Sequence, residues 1–123
     1  TLATAAKNGE IVKILLLNGA QPNLTADDGK TALIKAAERN YTDIIKRLLA
    51  HNADVNARDS SNATALMWAA SRGYEDAVEL LIQAGADINL TNKGGYTASM
   101  LAQVNEYENV VRILERRTVM DLK

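Results

Sequence analysis

The sequence lacks several residue types that enzymes and metalloproteins often use. It has no cysteine and no phenylalanine, and Pro22 is the only proline among 123 residues. Without cysteine the chain can form neither disulfides nor thiolate metal sites, which fits a reducing compartment. His51 is the only histidine, so a histidine metal cluster is excluded. We interpret His51 as a residue at the end of a second helix, where it favours the dipole, and not as part of a Ser-His-Asp arrangement. We therefore expect no enzyme active site and no cofactor.

An excess of one charge and a long apolar run are also missing. The 14 basic residues nearly balance the 15 acidic residues, whereas a nucleic-acid-binding protein needs a basic excess on one face. The longest apolar run is far shorter than the roughly 18 residues that span a membrane. We expect binding to neither nucleic acid nor membranes, and a cytoplasmic or nuclear location. Because the chain begins at Thr1, we expect it to be a fragment of a longer protein.

What the sequence does contain is a repeat with a period of 33 residues. A shift of this length superimposes Thr31 on Thr64 and Thr97. Two further residue types recur in fixed slots, at Asn23, Asn56 and Asn89 and at Tyr41, Tyr74 and Tyr107. A fixed period of this size indicates stacked structural units. Because the tyrosines recur in every unit, we interpret them as structural rather than functional.

Each unit is predicted to form two short helices joined by a turn. In the most complete unit, Thr64 can cap a first helix of eight or nine residues. Glu75 begins a second helix at the positive end of its dipole, and Val78 and Leu81 lie on its apolar stripe. Three slots are predicted to need a left-handed backbone: Gly9, Asn40 and Gly73; Gly19, Asn52 and Gly85; Gly29, Asn62 and Gly95. Asn is the only replacement for Gly, as positive φ requires.

The order of short helix, turn, second helix, the stretch Gly85-Ala86-Asp87-Ile88-Asn89 and a polar loop resembles the ankyrin repeat family. The resemblance implies an all-α solenoid of stacked helix-turn-helix units joined by β-hairpin-like loops, as a single domain over residues 1–123. We predict a truncated first repeat at 1–23, whose alignment stays open, and repeats at 31–56 and 64–89. A more polar, capping-like repeat at 97–117 and a tail at 118–123, which extends the last helix briefly and then frays, complete the prediction.

The sequence departs from the family in the opening of each repeat. Ankyrin repeats typically open Thr-Pro-Leu-His, whereas here Ala replaces the proline, and Ile34, Met67 and Met100 replace the histidine. We expect these three side chains to pack in the core. We also expect the stack to be less stable than one built on the consensus, because proline at the first helical position is pre-organised for the helix.

The resemblance implies that the protein binds a partner protein or peptide through a concave face and the loop tips. By position, the candidate residues are Asp27, Asp28, Lys30, Lys35, Arg39, Ser60, Ser61, Trp68, Ser71, Arg72, Lys93 and Tyr96. We expect Trp68 and Arg72 to form the centre, because these residue types most often dominate interface energy. With Lys35 and Arg39 they favour an acidic partner, and we expect the isolated domain to be a monomer. The alternative is a spacer that positions another domain of a longer protein.

Overall fold

A computed structural model describes residue 25 and residues 27–122, with side-chain surroundings as far as Arg117. The predictions made for the truncated first repeat, including Gly9, Gly19 and Asn23, lie outside the described residues. The described part contains six helices in three pairs. The pairs are α1 (Ala32–Glu38) with α2 (Thr42–Ala50), α3 (Ala65–Ser71) with α4 (Glu75–Gln83), and α5 (Ala98–Val104) with α6 (Glu108–Leu122).

The helix bounds differ slightly from the prediction. Each first helix has seven residues instead of the predicted eight or nine, and the threonine precedes it as the predicted N-cap. The last helix, α6, continues to Leu122, which lies in the tail at 118–123 that was predicted to extend it. No glycine or proline follows Arg116 in the sequence to end that helix.

The helices stack in two layers. The first helices α1, α3 and α5 pack in succession, the second helices α2, α4 and α6 do the same, and each first helix contacts the second helix of its own pair. The core lies between the layers and includes the fully buried Leu33 and Leu66. Ala36, Ala37 and the pair Ala69–Ala70 are also fully buried, which lets neighbouring first helices approach closely. The all-α repeat solenoid is therefore confirmed.

The predicted caps and left-handed positions are present. The hydroxyl groups of Thr31, Thr64 and Thr97 accept backbone N–H groups three residues later, at 3.2, 3.3 and 3.2 Å. The predicted Asn and Gly positions within the described residues have positive φ, from 59° at Asn40 to 91° at Gly85. Glu106 also has a φ of 64°. Glu106 occupies the slot of Asn40 and Gly73 in the last repeat. A left-handed backbone was predicted for this slot only in the earlier repeats.

The loops between the pairs form hairpin-like turns that bond to one another. The N–H of Asp59 donates to the carbonyl of Ala63 at 2.9 Å within one loop. The N–H of Ser60 donates to the carbonyl of Asp28 at 3.1 Å, and the N–H of Lys93 donates to that of Ser61 at 3.0 Å. Loop tips of successive repeats are therefore held side by side by backbone hydrogen bonds.

The prediction that Met100 packs in the core is wrong. Its counterparts Ile34 and Met67 are buried, at 1% and 2% exposed, whereas Met100 is 46% exposed. Met67 is covered by the following pair, and in the described part of the chain nothing follows α6 to cover Met100. The last repeat is also less uniformly polar than a cap was expected to be, since Val104 and Tyr107 are exposed as well.

Candidate protein-binding surface

Trp68, the predicted centre of the surface, is half-buried on α3 and held by the loop before that helix. Its indole Nε1–H donates to the Asp59 carboxylate at 2.9 Å. The other carboxylate oxygen of Asp59 accepts the N–H groups of Ser61 and Ala63 at 2.8 and 3.0 Å. Asp59 is only 7% exposed, so these bonds offset the cost of burying its charge. The indole is thus oriented before any partner arrives.

Two cations lie against the indole ring. The Lys30 ammonium is 4.4 Å from the ring centroid, and the Arg72 guanidinium carbon is 5.4 Å from it. Both distances fall within the roughly 6 Å of a cation–π contact. Lys30 precedes α1, whereas Arg72 ends α3. The predicted pair Trp68 and Arg72 is therefore in contact, and Lys30 joins it from the preceding repeat.

Glu38 connects these two cations. Its carboxylate lies 3.0 Å from the Lys30 ammonium and 3.8 Å from the Arg72 guanidinium. The side chains of Lys30 and Glu38 are 18% and 13% exposed, whereas that of Arg72 is 44% exposed. We call Lys30, Glu38, Asp59, Trp68 and Arg72 the tryptophan cluster. The cluster contains two cations and two carboxylates. Of the three residues that form its ion pairs, Arg72 is the most exposed.

Arg72 also has a structural role. Its guanidinium donates to the backbone carbonyl of Glu38 at 2.9 Å. In the same slot one repeat later, the Asn105 amide donates to the carbonyl of Ser71 at 3.0 Å. Each side chain bonds a carbonyl at the C-terminal end of the preceding first helix, where backbone acceptors lack helical partners. This slot therefore joins successive repeats, a role that sequence reasoning missed for Arg72.

The other predicted residues lie outside the tryptophan cluster. Asp27, Asp28, Ser60, Ser61, Lys93 and Tyr96 are exposed at the loop tips, while Lys35, Arg39 and Ser71 are half-buried on or next to first helices. The Ser71 hydroxyl donates to the carbonyl of Trp68 at 2.9 Å. Glu38 was expected on the binding surface by its position on the first helix, whereas Asp59 was not predicted there. The 33-residue period gave no signal for Asp59, because its contacts depend on side-chain direction.

Residues 25 and 27–122 contain no group of three or more His, Cys, Asp or Glu side chains placed to hold a metal ion. Nor does any helix among them combine the length and the apolar composition that crossing a bilayer requires.

Residues 2–92 match a family model described as ankyrin repeats in three copies. The chain belongs to the ankyrin repeat family. Ankyrin repeats are generally protein–protein interaction modules, and the family is typically non-enzymatic. The pair α5–α6 lies beyond the matched residues, yet it follows α3–α4 at the same 33-residue spacing. A comparison with curated proteins finds none that matches the chain.

Proposed function

We propose that this ankyrin protein is a non-enzymatic binding module that takes up an acidic segment of a partner protein. The binding surface consists of the loop tips and the exposed side of α1, α3 and α5, with the tryptophan cluster at its centre. One observation carries the proposal: two cations lie against an oriented indole, and one of them, Arg72, is 44% exposed. Arginine recognises carboxylates through two parallel hydrogen bonds, which favours an acidic partner.

Glu38 sets the condition for such binding. Its carboxylate already lies near both cations, so a partner carboxylate must share Arg72 with it or displace it. Arg72 donates one hydrogen bond to the Glu38 carbonyl, but it lies 3.8 Å from the Glu38 carboxylate, longer than the roughly 2.7 to 2.9 Å of a charge-assisted hydrogen bond. The guanidinium therefore retains donor capacity toward a partner, whereas Lys30 is bound more closely at 3.0 Å.

The test compares protein capture by the unchanged chain and by a Trp68→Ala, Arg72→Ala double variant. Lysate of the source organism is passed over each immobilised chain, and retained proteins are identified by mass spectrometry. We expect a partner with an acidic segment that the unchanged chain retains and the double variant loses. A peptide of that segment should bind the unchanged chain at least about tenfold more tightly than it binds the double variant, which is the scale of a hot-spot residue.

The matched control is Arg112→Ala. Arg112 is an exposed arginine on α6 whose only ion pair in the described residues is a 3.8 Å contact with Glu108. Its replacement by alanine therefore removes one arginine charge at a site outside the tryptophan cluster. Circular dichroism must show that all variants are folded. Equal capture by the unchanged chain and the double variant would contradict the tryptophan cluster as the centre. Capture of no protein by any variant would favour the spacer alternative.

A further inference from the structure

The end face of the last repeat is the second surface that can receive a partner. The large hydrophobic side chains that are exposed in the described residues are Tyr96, Met100, Val104 and Tyr107; the last three belong to this repeat, and Tyr96 lies in the loop just before it. One period earlier the slots of Met100 and Val104 hold Met67, which is buried, and Ser71, which is half-buried. Met100 and Val104 therefore occupy slots that are shielded where another helix pair follows, whereas Tyr107 also packs on Gly73 of the preceding repeat.

A cavity of about 660 Å³ adjoins one of these side chains, that of Tyr107. It is lined by Gln103, Glu106, Tyr107, Glu108, Val111, Arg112 and Glu115. One repeat earlier, the equivalent space over Gly73 is filled by the ring of Tyr107, since a Cβ on Gly73 would lie 2.6 Å from that ring. The surface that α5–α6 covers on α3–α4 is therefore left uncovered on α5–α6 itself, within the described residues. Its shape suits another helical element.

The charge of the cavity decides which helical element fits. Glu106 and Glu115 stand in slots that hold the uncharged Gly73 and Ile82 one repeat earlier. A third carboxylate, Glu108, lies 3.8 Å from Arg112, which lines the cavity as its only cation. Covering Glu106 as Tyr107 covers Gly73 would bury an unpaired carboxylate, which is strongly unfavourable. An occupant must therefore supply cations opposite these acids.

We propose that the end face of the last repeat binds an amphipathic helix of a partner protein with a basic rim. The apolar side of that helix packs on Met100, Val104 and Tyr107, and its lysine or arginine side chains pair with Glu106 and Glu115. The site lies on a different surface from the tryptophan cluster and selects the opposite charge. It does not depend on the function proposed above.

The test uses two synthetic helical peptides with the same leucine face, one flanked by lysine and one by glutamate. Binding to the full chain is measured by isothermal titration calorimetry, and the site is mapped by amide chemical shifts. We expect the lysine peptide to bind, with shifts centred on residues 100–111. Its affinity should fall as the salt concentration rises. We expect the double variant Glu106→Gln, Glu115→Gln to weaken it about tenfold or more, in the range of a hot-spot pair.

Two control variants make the result specific. Asp76→Asn, Glu79→Gln removes two exposed acids from α4, away from the end face, and should leave the affinity unchanged. Trp68→Ala should also leave it unchanged, which separates this site from the tryptophan cluster. The proposal is overturned if neither peptide binds, if the glutamate peptide binds as tightly with shifts at residues 100–111, or if both acid-removing variants weaken binding equally. Concentration-dependent dimerisation that Met100→Glu abolishes would overturn it in favour of a second copy as occupant.

Discussion

The third and the last repeat use the same slots in different surroundings. Met67 is 2% exposed and Met100 is 46% exposed, although both are methionines three residues after a capping threonine. The turn after the first helix holds Gly73 in one repeat and Glu106 in the other, both with positive φ. In a stack each repeat contacts only its neighbours, so the burial of a side chain depends on the repeat that follows it. Residue type alone does not determine it.

The largest expected effect concerns the slot of Leu66. Leu66 is 1% exposed in the core, so Leu66→Ala should lower the free energy of unfolding by about 2–5 kcal/mol. Ser99→Ala, in the same slot of the last repeat, removes only a half-buried hydroxyl and should change it by less than about 1 kcal/mol. Urea unfolding followed by circular dichroism measures both. An unchanged unfolding curve for Leu66→Ala would refute its place in the core.

A smaller effect is expected at the turn between α3 and α4. Gly73 has a φ of 74°, and a left-handed backbone costs an L-residue roughly 1–2 kcal/mol. Gly73→Ala adds to this strain a displacement of the Tyr107 ring, which would lie 2.6 Å from the new Cβ. Unfolding in urea should show a loss of roughly 2 kcal/mol, reflecting strain together with lost packing between the repeats.

Gly85→Ala serves as the control for this variant. Gly85 also has a positive φ, of 91°, but no heavy atom lies within 4 Å of its added Cβ. It should therefore show the backbone strain without the ring contact. Equal losses for the two variants would mean that the contact between Tyr107 and Gly73 contributes nothing to the stacking of the last repeat.

The sequence predicted those features that depend on local backbone requirements. The capping role of Thr31, Thr64 and Thr97 and the left-handed backbone at Asn40 and Gly73 follow from rules that act within a few residues. Such rules apply in every repeat, and the structure contains each of these features. The stacked all-α fold follows from the period for the same reason.

The contacts of the candidate site were harder to predict. Lys30 reaches the Trp68 ring across 38 positions of sequence, and Arg72 bonds the carbonyl of Glu38 34 positions earlier. The period places these residues on neighbouring repeats, but it does not give the direction of their side chains. The exposure of Met100 was missed for another reason, since it depends on what packs after α6 and not on any residue nearby.

The smallest expected effect is a gain in stability at Glu106. Glu106 is sterically strained at a φ of 64°, in a slot where the earlier repeats have Asn40 and Gly73. Glu106→Gly relieves that strain but increases the freedom of the unfolded chain, which leaves a net gain of about 0.5–1 kcal/mol. Urea unfolding of the last repeat, followed through the α6 signals by NMR, measures it.

Glu106→Gln separates backbone strain from charge at this position. Glutamine keeps the Cβ and therefore the strain, and it removes only the carboxylate beside Glu108 and Glu115. We expect no gain from this variant, because exposed like charges in water interact weakly. If it stabilised the last repeat as much as Glu106→Gly, repulsion among the three carboxylates would be the cause. A basic helix would then relieve that repulsion when it binds the end face. A gain from glycine alone would instead mean that the carboxylate is tolerated at little expense, so that any preference of the end face for cations comes from desolvation when a partner covers it.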